Sequence, residues 1–193
     1  VLFRSAYDFY TKPERPLVSR DRVVTCEARL DADGTAWLNP DEAELDRVAA
    51  QLAAMKPDAV AVVIMNAYLD PAFEARIADG LQRRMQAVPI AASTAIWSEM
   101  REYERATVAV MNAYVAPTMQ GYYARLERSF HAKGFTAPLS MTTSNGGTID
   151  VETARARPID TVLSGPASGV VAAIAAAKSA GLTEIVTFDM GGT

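Results

Sequence analysis

Residues 59–65, AVAVVIM, form a continuous apolar run directly after Pro57-Asp58. A strand with no polar alternate face must be covered on both sides, which is the situation of a parallel strand packed between helices. The flanking segments fit that arrangement. Asn39-Pro40-Asp41 opens a helix carrying Leu45, Val48, Ala49 and Leu52 at helical spacing, which ends near Lys56-Pro57. Asp70-Pro71 starts a second helix with Phe73, Ile77, Leu81 and Met85 on one stripe, and a strand follows over residues 89–96. Helix, strand, helix, strand in this order predicts an α/β layer with parallel strands. Ahead of it, residues 23–30 and 35–38 read as strands joined by the hairpin signal Asp31-Ala32-Asp33-Gly34.

The character changes near Ser98. Residues 99–116 predict a helix with Tyr103, Thr107, Val110 and Tyr114 on one face. Pro117 suits the first position of a further helix, with Met119, Tyr122, Leu126 and Phe130 inward and Gly134 closing it. Two long helices here predict a domain transition, with one unit over residues 1–105 and a second over 106–193. The charge run Glu99-Met100-Arg101-Glu102-Tyr103-Glu104-Arg105 is either a solvated helix start with side-chain pairs or a buried ion network between the two units. Beyond it, residues 139–143 predict a strand, Ser144-Asn145-Gly146-Gly147 a tight turn, and residues 160–163 a short strand. Residues 165–180 predict a buried helix and residues 184–188 a last strand.

Composition narrows the function classes. A net charge of −4 gives no electrostatic reason for nucleic acid or an anionic membrane as partner. No apolar run approaches the roughly 18–20 residues that span a bilayer. Cys26 is the only cysteine, so no intrachain disulfide forms, a cytoplasmic setting is expected, and the thiol reads as structural. His131 is the only histidine and sits near a helix end, where a cation suits the dipole. The first five residues lack a signal peptide's apolar core and resemble a translated sequencing adapter, so the fold reading starts after them. At the other end the predicted strand runs into a glycine pair, which reads as part of a longer chain.

Three glycine-bearing turns each follow a predicted strand: residues 144–147, 164–169 and 189–193. Glycine there allows positive φ and close backbone approach to a ligand, and successive N–H groups make an anion-binding nest. In α/β sheets ligands lie beyond the carboxyl ends of strands, where such turns gather. In Asp189-Met190-Gly191-Gly192-Thr193, a carboxylate leaving an apolar strand can hold Mg²⁺ through water, while Gly191, Gly192 and Thr193 offer donors to phosphate. The plain alternative is a strand-to-turn connection with a capping Asp. The small-residue helix start at Ser164-Gly165-Pro166-Ala167 serves close helix packing or direct anion contact at Gly165.

Taken in order, several segments resemble the hydantoinase/oxoprolinase family. They are residues 12–18 (KPERPLV), Asn66-Ala67-Tyr68-Leu69-Asp70-Pro71, Glu102-Tyr103-Glu104-Arg105, Asn112-Ala113-Tyr114-Val115-Ala116-Pro117, Ser144–Gly147, Leu163-Ser164-Gly165-Pro166-Ala167 and Phe188–Thr193. The resemblance implies an actin-like (ribonuclease H-like) ATPase architecture, with this chain spanning the end of one α/β lobe and the start of the next. It implies ATP and Mg²⁺ as cofactors and a small cyclic amide as substrate, opened after phosphorylation of its carbonyl. It implies Asp189 on the metal-bound water, Gly191, Gly192, Thr193 and Gly165 at phosphate, and Asn145, Gly146 and Gly147 lining the cleft. A second, hydantoinase B-type subunit or domain is the implied partner. Carboxylase subunits and non-catalytic actin-like modules remain open alternatives.

Overall fold

The computed structural model describes residues 16–191. The adapter-like residues 1–5, the start of the 12–18 motif, and Gly192 and Thr193 lie outside the described residues.

The first half has the expected α/β layering. Strand β3 (Val60–Val62) pairs in parallel with β4 (Ile90–Ala92), helix α2 (Pro71–Arg84) packs against both, and α1 (Glu42–Ala54) packs against α2. Both helices start as their caps require: Asp41 accepts the Glu44 N–H, Asp70 accepts the Phe73 N–H, and Pro71 occupies the first turn. All eight stripe residues, Leu45, Val48, Ala49, Leu52, Phe73, Ile77, Leu81 and Met85, are buried in one cluster with Leu30, Val62, Ile64 and Ala92.

The expected strand over residues 23–30 is a correction. Only Arg29–Leu30 (β1) pairs, antiparallel to β2 (Ala36–Leu38). The rest is held by side chains instead of a neighbouring strand. Glu44 Oε1 accepts the Glu27 N–H at 2.8 Å, and Arg47 Nη2 donates to the Thr25 carbonyl at 2.8 Å. The Arg47 guanidinium, 2.6 Å from Glu44, together with the Glu27 N–H, draws the Glu44 pKa down to about 2. Half-buried Cys26 packs against the core, and burial beside Glu44 raises its pKa, as suits a structural thiol.

Residues 99–132 hold the second correction. A single helix, α4 (Glu102–Ala132), runs through Pro117 where two were expected. Its packed face is not the one carrying Tyr103 and Tyr114, which are 79% and 85% exposed; Arg105, Ala109, Asn112, Ala113, Ala116 and Tyr123 are buried instead. Small residues let the backbone approach its neighbours, and the polar ones find partners there. Buried residues on both sides of Pro117 hold the helix to the same body, so packing overrides the local cost of proline. Gly134, at φ +81°, closes it.

The charge run is in part the expected solvated helix start, whereas the side chain of its buried member, Arg105, forms no ion pair among the described residues and bonds only to groups within residues 1–105. Arg101 and Glu104 form an exposed pair at 3.0 Å. Arg105 is fully buried: Nε donates to Ser93 Oγ at 3.0 Å, Nη1 to the Glu99 carbonyl at 2.7 Å, and Nη2 to the Ile64 carbonyl at 2.8 Å. Glu74 is buried across Ser93 from it and accepts from Ile64 N, Thr94 N, Thr94 Oγ1 and Ser93 Oγ. The network caps the carboxyl end of β3 and the turn helix α3 (Ser93–Ile96) and fastens α4 to both. That short helix also ends the strand expected over residues 89–96 early.

The second half is an antiparallel hairpin, β5 (Ser140–Thr142) with β6 (Thr148–Asp150), followed by α5 (Val151–Ala156), a 3₁₀ turn (Pro158–Thr161) and α6 (Ser164–Ser179). The strand expected over residues 160–163 is therefore mostly helical turn, since Pro158 fixes φ at its start. Helix α6 was expected to be buried, yet Ala177 is its only buried residue among those described, and Val170, Val171 and Ile174 are exposed. Residues 184–188 form no strand: no described strand lies beside them to accept the ladder, and Val186 and Phe188 are 96% and 84% exposed.

Candidate functional site

A cleft of about 360 Å³ opens between the 144–147 turn and the 3₁₀ turn, lined by residues that include Ser144, Asn145, Gly147, Ile149, Arg157 and Asp160. Each wall follows from local chemistry. In the first, Asn145 Oδ1 accepts the Gly147 N–H at 3.0 Å and the Thr143 hydroxyl, folding the turn on itself. Gly146 takes φ +83°, which favours glycine. A Cβ there would lie 2.6 Å from Val171 Cγ2 and 3.9 Å from the Ala167 carbonyl, so the turn rests directly on α6. Ser144 joins the walls: its N–H and hydroxyl both donate to the Asp160 carbonyl, at 2.6 and 2.8 Å, and its Oγ accepts the Leu163 N–H at 3.1 Å.

The second wall begins at Asp150, which caps α5 by accepting the Thr153 N–H and hydroxyl, each at 2.8 Å. Those two bonds hold its carboxyl below the usual range. Helix α5 then delivers Arg157 to the 3₁₀ turn. Asn112 of α4 brackets that residue, donating to the Ala156 carbonyl at 3.4 Å and accepting the Ile159 N–H at 3.2 Å. Tyr123 bonds Thr161 Oγ1 at 2.8 Å, and Thr161 bonds the Pro158 carbonyl. Thus α4, anchored at its start by Arg105, holds the far wall with two buried polar side chains.

The structure gathers two of the three glycine turns. Asn145, Gly146 and Gly147 meet the first turns of α6, which contains Gly165. Gly165 and Gly169 themselves face open space, so the close packing expected there is made instead by Gly146 on Ala167 and Val171. Asp189 and Gly191 lie in the exposed tail, and no hydrogen bond or ion pair among the described residues ties Asp189 to the cleft. Among the described residues no group of three His, Cys, Asp or Glu side chains could hold a metal. An exposed carboxylate still fits Mg²⁺, which keeps several waters and takes one or two carboxylates alongside substrate phosphates.

Sequence reasoning did not single out Asn112, Tyr123, Arg157 or Asp160. The Arg-Pro-Ile-Asp order carries an i,i+3 charge pair directly after a proline-fixed turn, which is the one local signal that marks the second wall. Asn112 and Tyr123 carry no such signal, because their partners are 38 to 47 residues away.

Comparison with known proteins fits this geometry. A family model described as Hydantoinase/oxoprolinase matches residues 105–193, and one described as Hydantoinase/oxoprolinase N-terminal region matches residues 3–85. The chain is 29% identical over 187 residues to the caprolactamase subunit alpha of Pseudomonas jessenii, covering 97% of this chain and 27% of that protein. It is 27% identical over 184 residues to the acetophenone carboxylase gamma subunit of Aromatoleum aromaticum, covering 92% of this chain and 25% of that protein. The crystal structure of ATP-dependent caprolactamase from Pseudomonas jessenii superposes with a TM-score of 0.81 at 28% identity, covering 100% of this chain and 28% of that one. The chain thus spans little more than a quarter of the length of the relatives it matches, and both curated relatives are named as subunits. No described helix is long and apolar enough to cross a membrane. The matched order of segments, the α/β fold and the superposition agree, and the chain belongs to the hydantoinase/oxoprolinase family.

Proposed function

We propose that this chain is part of an ATP-dependent enzyme that opens cyclic amides of the hydantoin, 5-oxoproline or caprolactam kind. The observation that carries the reading is the end-to-end superposition on an ATP-dependent caprolactamase. An actin-like architecture with two α/β lobes around a nucleotide is the accompanying fold proposal, with units at 1–105 and 106–193.

ATP with Mg²⁺ supplies the phosphoryl group that makes a ring carbonyl attackable by water, and developing charge needs donors fixed in advance. Asp189 is proposed to hold the metal through water. Gly191, Gly192, Thr193 and the α6 start at Gly165 are proposed to contact phosphate. Asn145, Gly146 and Gly147 line the ring-binding cleft, with the turn held rigid by its own Asn145 bonds and by α6. A partner subunit of the hydantoinase B type is proposed from the subunit names of the relatives. The lone thiol of Cys26 suits a reducing, cytoplasmic setting.

The acetophenone carboxylase relative favours a second reading, in which the same ATP site activates a ketone or bicarbonate. ADP release by the intact protein and any partner subunit separates the two. Stimulation by hydantoin, 5-oxoproline or caprolactam supports ring opening, whereas stimulation only by a ketone with bicarbonate replaces it. Failure of the intact protein to bind MgATP by calorimetry refutes both and leaves a non-catalytic actin-like module.

A further inference from the structure

The 360 Å³ cleft contains a charge pair that the proposed chemistry has not used. Arg157 Nε lies 2.9 Å from Asp160 Oδ2, and Nη2 lies 3.5 Å from Oδ1. Their side chains are 40% and 31% exposed, so the pair sits at the cleft surface within reach of a ligand. The pairing is imperfect: Nε is buried, yet Asp160 is out of line with its N–H, which has no hydrogen-bond partner. This is not the parallel two-bond fork that fills both groups. Nη1, which is not buried and makes no hydrogen bond among the described residues, and the remaining lone pairs of the carboxylate are therefore left side by side.

The chemistry of such a pair selects among ligands. Asp160 already balances the charge of Arg157 and repels an anion, so phosphate or a free carboxylate is a poor occupant. A neutral group offering one acceptor beside one donor is a good one. A small lactam has that form, because its ring holds the amide cis and presents C=O and N–H on one edge. The volume lies near the low end of the roughly 300–1,000 Å³ usual for ligand pockets, which suits a single small ring. Ile149 and Ile159 supply apolar contact for its methylenes.

We infer that this cleft is the ring-recognition subsite, in which Arg157 donates to the lactam carbonyl and Asp160 accepts from the adjoining N–H. The inference rests on the ring-opening reading above and adds the residues that select the ring. Arg157 and Asp160 are positioned for it by Asn112, from outside the cleft, on the flanking backbone and by Ser144 of the opposite wall on the Asp160 carbonyl.

The test uses ε-caprolactam and N-methylcaprolactam, which lacks the N–H, as calorimetric probes of the intact protein and its Arg157→Gln, Arg157→Lys and Asp160→Asn variants. Wild type is expected to bind caprolactam about ten- to a hundredfold more tightly than the N-methyl form, the usual range for a hydrogen bond to a charged group. Arg157→Gln weakens both ligands by a similar factor, and Arg157→Lys restores part of that loss. Asp160→Asn weakens caprolactam alone and removes the discrimination. MgATP affinity stays unchanged in every variant, a result that general misfolding would not give. Should Arg157→Gln fail to fold, the Arg157→Lys and Asp160→Asn measurements decide. Unchanged lactam affinity in the folded Arg157 variants, or discrimination retained in Asp160→Asn, overturns the inference while leaving ring opening intact. A wild-type protein that binds no lactam and responds only to a ketone with bicarbonate overturns both.

Discussion

Replacing Gly146 by alanine tests the contact that brings two of the glycine turns together. The substitution acts through two separable effects. The first is backbone conformation: at φ +83° an L side chain costs about 1–2 kcal/mol. The second is contact. The new Cβ lies 2.6 Å from Val171 Cγ2, well inside the roughly 3.5–4.0 Å of an ordinary carbon contact. Val171 is 47% exposed and can turn away, so relief costs only the roughly 0.5–1.5 kcal/mol of a displaced rotamer. Alanine also stiffens the unfolded chain, which returns about 0.4–1 kcal/mol. The net expectation is a loss of about 0.5–3 kcal/mol.

Urea titration of Gly146→Ala, Val171→Ala and the double variant separates the two effects. Val171→Ala alone should cost under about 1 kcal/mol, because the side chain is already half in water. In that background Gly146→Ala should lose its steric share and retain only the conformational one, a coupling of about 0.5–1.5 kcal/mol. Strict additivity would show that the turn does not rest on α6. A neutral Gly146→Ala would refute the positive φ as well.

Four further outcomes follow from the same structure. Glu74→Ala leaves the Ile64 and Thr94 N–H groups buried without their acceptor and should cost about 3–5 kcal/mol in urea titration; a cost below about 1 kcal/mol would mean that water reaches them. Arg105→Met strands the Ile64 and Glu99 carbonyls and should raise amide exchange at the start of α4 more than in α6. The Glu44 carboxyl is depressed from 4.5 to about 2 in the folded chain, so its contribution is full above pH 4.5 and lost as pH falls through about 2. Glu44→Gln should flatten that part of the stability profile, and an unchanged acid limb would contradict the bonds to Arg47 and Glu27. Asp189→Ala in the intact protein should lower ATP turnover at least about tenfold with no change in urea midpoint, since the residue is exposed; unchanged turnover would remove it from the proposed metal site.

How far the sequence revealed the fold depended on the range of each interaction. Helices α1 and α2 were legible because cap, stripe and length are local, and all eight stripe residues are buried. The parallel pair was legible because an apolar run has few other places to go. The segment 23–28 was misread because alternation alone cannot distinguish a ladder from two side chains of α1 serving as its partners. The packed face of α4 was missed for a related reason. Helical spacing groups Tyr103 and Tyr114 with Thr107 and Val110 on one face, but the face that packs is chosen by Arg105, Asn112 and Tyr123. Each of those finds its partners 6 to 47 residues away.

The same distinction explains the site. Its glycine turns were visible because positive φ and close approach leave a residue-level mark, and Gly146 shows both. Its charge pair was not, because Arg157 and Asp160 become cleft residues only when Asn112 holds the Ala156 carbonyl and the Ile159 N–H on either side of Arg157-Pro158. In this chain Gly146 lets the 144–147 turn rest on α6, and buried polar groups of α4 set which side chains line the opposite wall. The long helix therefore links the two halves chemically. Arg105 fastens its start to the parallel strands, and seven residues on, Asn112 fastens the wall of the cleft. A change at either residue should alter ring recognition through the Arg157 wall, while the 144–147 turn keeps the Asn145 bonds within it.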